Sequence, residues 1–194
     1  MQVVETFGQY VQRWSGSHPD RARDLLRLGW EAQNLKNKYL PDRRLLPADQ
    51  YLAKIMMDAM LKPLQHPASS AIVSVFTPSE ILQEAGLNPY NVEGFSCYLS
   101  GSRAERLFLQ QAENAETLCS YHKTFLGAAD KDVLPRPNCI VYTNLTCDAN
   151  LLTFRRLAEL YGVPSFSIDV PMQQSAANIA YVAGQLRELA DFLP

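Results

Sequence analysis

Two periodicities divide the chain. Residues 1–66 carry apolar positions at helical spacing, and from residue 71 short apolar runs alternate with helical segments. In the first region, Pro19 suits the first turn of a helix that carries Leu25, Leu26, Leu28 and Trp30 and ends near Tyr39-Leu40-Pro41. A second helix is expected over Ala48 to Leu61, with Tyr51, Ile55, Met56 and Met60 on its apolar positions. Lys62-Pro63 to Pro67-Ala68-Ser69-Ser70 reads as a linker.

Beyond the linker, Ala71 to Phe76 reads as a buried strand. Thr77-Pro78-Ser79-Glu80 reads as a capping box opening a helix that stops at Gly86. Tyr90 to Leu99 reads as a second strand, and Ser102-Arg103-Ala104-Glu105 as a capping box for a helix with Leu107, Phe108 and Leu109. Ile140 to Thr143 is the third strand. Asp148 is expected to cap a helix from Ala149 to Tyr161 that closes on Gly162. Ser165 to Ile168 is the fourth strand, and a helix over Gln173 to Leu193 follows. Ile179, Val182, Leu186 and Leu189 form its apolar stripe, open to packing on this chain or to bridging toward a further domain.

Strands alternating with helices predict an α/β fold: a helical N-terminal region over residues 1–66, then a Rossmann-like open parallel sheet of about four strands over 67–194, covered by helices. Ligands of such sheets bind beyond the carboxyl ends of the strands. Cys97, Cys147 and Asp169 are expected there, and Cys139 at a strand start on the opposite edge.

Composition narrows the class. The 194 residues are 47% hydrophobic and 20% charged, as in a globular protein. A net charge of -2 offers no general phosphate-binding surface, so nucleic acid is not expected as the main partner. No apolar run approaches a membrane span. The start, Met1-Gln2-Val3-Val4-Glu5, lacks the basic region of a secretory signal. The expected compartment is the cytoplasm, where four cysteines serve as thiols or metal ligands rather than disulfides.

The stretch from Leu118 to Asp148 carries the candidate chemistry. Cys119 opens a helix-like segment and Cys147 precedes another, so both thiols fall near helix N-termini, whose positive dipole end favours thiolate. Spacing alone leaves two readings, iron–sulfur ligation or two buried structural thiols. Cys97 and Cys139 read as structural. His122 could be a ligand, an acid–base group or a hydrogen-bonding group. Glu80 and Asp148 have capping explanations, and Asp169 either caps the last helix or faces a ligand. No GxGxxG, GxxxxGK[ST] or GxSxG motif is present.

Residues 76–89, Phe-Thr-Pro-Ser-Glu-Ile-Leu-Gln-Glu-Ala-Gly-Leu-Asn-Pro, precede Leu118-Cys119-Ser120-Tyr121-His122-Lys123 with Gly127. Thr146-Cys147-Asp148-Ala149, Tyr161-Gly162-Val163-Pro164 and Ile168-Asp169-Val170-Pro171 follow. In order and spacing this set resembles the 2-hydroxyacyl-CoA dehydratase family, which includes benzoyl-CoA reductase subunits. The resemblance spans roughly residues 70–172.

The resemblance implies a [4Fe-4S] cluster on three cysteines, with Cys119 and Cys147 matching the first two. It implies a paralogous partner subunit in a heterodimer, an ATP-dependent activator protein that donates one low-potential electron, and an acyl-CoA substrate. The family's dehydration passes through a ketyl radical of a 2-hydroxyacyl-CoA. Family subunits are about twice as long, with a second α/β domain that supplies the third cysteine. The expectation is therefore an N-terminal half, incomplete as a catalyst alone. The alternatives are a related acyl-CoA or small-molecule reductase subunit, or a non-catalytic α/β scaffold that binds a partner.

Overall fold

The computed structural model describes residues 2–102, 117–145 and 147–194. Three helices come first: α1 (Gln2–Ser15), α2 (Pro19–Tyr39) and α3 (Pro47–Gln65). Pro19 and Pro47 stand at the starts of α2 and α3, where a missing N–H costs no helical bond.

The expected linker is not one. α3 runs through Pro63 to Gln65, residues 67–69 make a 3₁₀ turn, and Ser70 already belongs to the first strand. Pro63 lies in the last turn of α3, and Leu61 and Leu64 on either side of it are buried in the main core. That packing outweighs the local helix-breaking signal.

The α/β part runs β1 (Ser70–Val73), α4 (Ser79–Glu84), β2 (Asn88–Asn91), α5 (Val92–Gly101), α6 (Ser120–Asp130), β3 (Cys139–Thr143), α7 (Ala149–Tyr161), β4 (Ser165–Ile168) and α8 (Ala176–Phe192). The four strands form one parallel sheet in the order β2-β1-β3-β4. β1 and β3 are buried along their whole length, as central strands covered on both faces must be.

The two faces have separate cores. Ile72, Tyr90, Ile140 and Tyr142 meet Phe95, Phe125, Phe154 and Leu157 on one face. The alternate residues Ala71, Val73, Cys139, Val141 and Ile168 meet Leu82, Leu87, Leu189 and Leu193 on the other. The N-terminal helices share the first of these cores through Leu26, Trp30, Met57 and Met60.

Several elements differ from expectation. The run Tyr90 to Leu99 is not a strand: β2 ends at Asn91, and Val92, Phe95, Ser96 and Leu99 are the buried stripe of α5. Their spacing suits a helix as well as an apolar run suits a strand. The Asn91 side chain accepts from Gly94 N and caps α5, which decides between them.

Thr77 does not cap α4. Its hydroxyl donates to Val141 O at 3.1 Å, stitching the exit of β1 to β3. Asp148 precedes α7 but makes no side-chain cap. The capping box from Ser102 and its helix fall on residues 103–116, outside the described residues. Gly86 and Gly162 close α4 and α7 with φ of 78° and 60°, the left-handed conformation expected of them.

Candidate functional site

The sheet order fixes where the chemistry can lie. β1 connects outward to β2 and β3 connects outward to β4, so the winding reverses between the two central strands. The carboxyl ends of β1 and β3 flank that reversal. At this edge the strand exits are tied together. Thr143 N donates to Ser74 Oγ at 3.1 Å, and the Ser74 and Thr77 hydroxyls pair at 2.9 Å.

Asn144 joins β3 to the exit of β4. Its Nδ2 donates to Asp169 Oδ1 at 2.6 Å and its Oδ1 accepts from Val170 N at 2.8 Å. The Gln185 amide holds Asp169 N and Asp169 O, both at 2.8 Å, and the Tyr181 hydroxyl donates to Asp169 Oδ2 at 3.2 Å. Asp169 is thus a girder of the edge and does not cap α8. Ser175 does that, accepting from Asn178 N.

Two helices present their N-termini at the same edge. α7 leaves the carboxyl end of β3, and α6 leads from its C-terminus toward the start of β3, so both run opposite to the strands. Cys119 is the residue at the N-cap of α6 and is exposed; Cys147 lies two residues before α7 and is half-buried. The helices are joined by His122 Nδ1 and Thr153 Oγ1 at 2.9 Å. His122 is buried, and burial lowers its pKa. The side chain is a neutral tie between helices rather than a solvent-facing acid–base group.

The other cysteines separate from this pair. Cys139 starts β3, is buried, and its thiol pKa is pushed up to about 11 by that burial. Cys97 does not end a strand; it is exposed on α5. The Cys97 sulfur is the main influence that raises the Tyr121 pKa, with burial and then Cys119 adding to it. A cavity of about 930 Å³ bounded by Phe7, Trp30 and Met57 reaches Cys97 at one side, and its described lining includes neither Cys119 nor Cys147.

Glu93 was hidden in the sequence by its place in an apparent strand. It lies in the first turn of α5. With Ser96 and Cys97 it shares one helix face. Ser96 Oγ donates to Tyr121 O at 2.8 Å, which turns that face toward the first turn of α6. Glu93 is one turn nearer the carboxyl edge, just after β2. Its Oε2 is buried with no hydrogen-bond partner, and burial raises its pKa. Burial makes this carboxyl hold its proton to higher pH than an ordinary carboxylate does.

The family model for the 2-hydroxyglutaryl-CoA dehydratase D-component matches residues 74–194. The chain belongs to that family. The match begins where β1 ends and takes in both cysteine-bearing helices, the edge network and α8. A search of curated proteins gives no match.

Members of this family are iron–sulfur dehydratase components in general. Cys119 and Cys147 suit part of such a donor set: both are free thiols and both stand at N-termini of packed helices. Among the described residues, no three His, Cys, Asp or Glu groups converge to hold a metal ion. Cys119 and Cys147 are free thiols, and the described part of the chain does not complete a three-cysteine site. No described helix is long and apolar enough to cross a membrane.

Proposed function

We propose that this chain is the cluster-binding part of a 2-hydroxyacyl-CoA dehydratase-type component. It works in the cytoplasm with a paralogous subunit and an ATP-dependent activator. The observation that carries this reading is the pair of thiols, Cys119 and Cys147, at two helix N-termini tied by His122 and Thr153, inside the span matched by the family.

Cys119 and Cys147 contribute two thiolates to a [4Fe-4S] cluster, and a third comes from the family's second α/β domain. When bound, the cluster supplies low-potential one-electron chemistry to the thioester of a 2-hydroxyacyl-CoA, which loosens the bond to its 2-hydroxyl. His122 and Thr153 hold the two helices in register, and the bonds among Asn144, Asp169 and Gln185 keep the neighbouring loop fixed.

Glu93 holds the proton that the departing hydroxyl needs to leave as water. It recovers one from the substrate's C3, so one dehydration returns it to its starting state. Burial, which favours the protonated carboxyl, supports this role.

The test is dehydration by the assembled system. The chain, the domain that supplies the third ligand, the partner subunit, the activator and ATP are combined anaerobically with a 2-hydroxyacyl-CoA, and 2-enoyl-CoA is measured. C119S and C147S should abolish the product, and E93Q should lower the rate by roughly 10²–10⁴-fold. The rival reading is a non-catalytic scaffold that binds a partner. That rival predicts no cluster and no product from the unmodified protein.

A further inference from the structure

Cys147 sits in a turn held by a side chain with no place in the mechanism above. The chain leaves β3 at Thr143 and enters α7 at Ala149. Within that connection Cys147 N donates to Leu145 O at 3.0 Å, and Asn150 N donates to Cys147 O at 3.0 Å. Asn150 Nδ2 donates to the same Leu145 carbonyl at 3.3 Å. Backbone and side chain of Asn150 therefore grip the turn on both sides of Cys147.

The other end of the Asn150 amide does nothing comparable. Asn150 is 1% exposed, and its Oδ1 is buried without a hydrogen-bond partner. A buried, unpaired amide oxygen opposes folding, a cost that an apolar side chain of the same branched shape does not carry. What the asparagine adds is the donor on Nδ2, and the group that receives it is the carbonyl two residues before Cys147.

We propose that Asn150 is the positioning residue of Cys147, fixing the direction of its thiol at the carboxyl edge through the Leu145 carbonyl. This rests on the reading that Cys147 is a cluster thiolate. Asn150 touches neither substrate nor cluster; it acts only through the turn. Asn144 does the corresponding work for the exit of β4, where both ends of its amide are used.

The test is the pair N150L and N150A in the full chain without iron. Each lacks the Nδ2 donor; N150L keeps the branched shape, and N150A removes it. Cys147 and Cys119 are labelled with a maleimide under native conditions, the rates are read by mass spectrometry, and the melting temperature is measured alongside. If Asn150 only fills space, N150L melts at or above the temperature of the unmodified chain and both rates stay unchanged. Positioning predicts that Cys147 labels roughly three- to tenfold faster while Cys119 keeps its rate, the change expected from one lost hydrogen bond. N150A supplies the same readout should N150L fail to fold.

An unchanged Cys147 rate, or equal acceleration of both thiols, overturns the proposal. These rates need no cluster. Failure of the unmodified protein, assembled with the domain that supplies the third ligand, to take up iron and sulfide refutes the functional reading above, whereas an unchanged Cys147 rate refutes the role of Asn150 alone.

Discussion

His122 Nδ1 and Thr153 Oγ1 lie 2.9 Å apart in the interior and join the first turn of α6 to α7. Each helix carries a candidate thiol at its start, so this one bond ties the supports of Cys119 and Cys147 together. Removing either partner leaves the other buried and unpaired. H122A and T153V are each expected to lower stability by about 1–3 kcal/mol, and the double variant by less than their sum. Chemical denaturation of the four proteins measures the coupling; additive losses would show that the two groups are independent.

The same histidine gives a pH signature. Burial lowers its folded pKa below the ordinary value of about 6.5. A depressed folded pKa contributes stability that is present above the unfolded value and is lost as pH falls through the folded one. The melting temperature should therefore decline as the solution is acidified below about pH 6.5. H122N should flatten that decline; an unchanged slope would assign the effect to other groups.

Glu93 has the opposite sign. Its folded pKa is raised by burial, so its contribution is complete below the ordinary carboxylate range and is lost as pH rises through the raised folded value. E93Q removes that loss. The variant should melt higher than the unmodified chain at neutral pH and equally at acid pH, while losing dehydration activity, a trade of stability against function. A lower melting temperature at neutral pH would mean that the carboxylate has a structural partner.

Trp30 connects the N-terminal helices to the sheet. Its ring meets Phe95 edge-on at 5.0 Å, and its Nε1 donates to Ser102 Oγ at 2.9 Å. Phe95 is fully buried and also contacts Tyr90 and Phe125. W30A should cost about 3–5 kcal/mol. Because one core spans both regions, helix loss and tertiary loss should coincide in a single transition. Two separated transitions would show that residues 1–66 fold apart from the sheet.

Much of the scaffold was legible in the sequence because it rests on local signals. β3 and β4 are bounded by prolines and by Gly162, and their apolar runs are too short for helices. The helical spacing through Leu26 and Trp30 located α2. The errors had two sources. A local cap at Asn91 turned an apparent strand into α5, and tertiary burial of Leu61 and Leu64 carried α3 past Pro63. The positions of Cys119 and Cys147 at helix starts were readable, as was burial of Cys139. Glu93 and Asn150 were not, since their significance lies in an oxygen left unpaired by the tertiary fold.

The four thiols give an inexpensive check on the edges of the sheet. Cys97 and Cys119 are exposed, Cys147 is half-buried and Cys139 is 3% exposed with a pKa of about 11. Native maleimide labelling should modify Cys97 and Cys119 first, Cys147 more slowly and Cys139 only on unfolding. Early modification of Cys139 would mean that the start of β3 is open to solvent.

Anaerobic reconstitution with iron and sulfide tests the central claim most directly, that Cys119 and Cys147 ligate one cluster. The unmodified protein, assembled with the domain or subunit that supplies the remaining ligand, should bind about four iron and four sulfide per chain, with broad thiolate-to-iron absorption near about 400 nm. C119S and C147S should each remove most of that absorption while C97S and C139S retain it. Retention of the full absorption and iron content by both C119S and C147S would contradict the account.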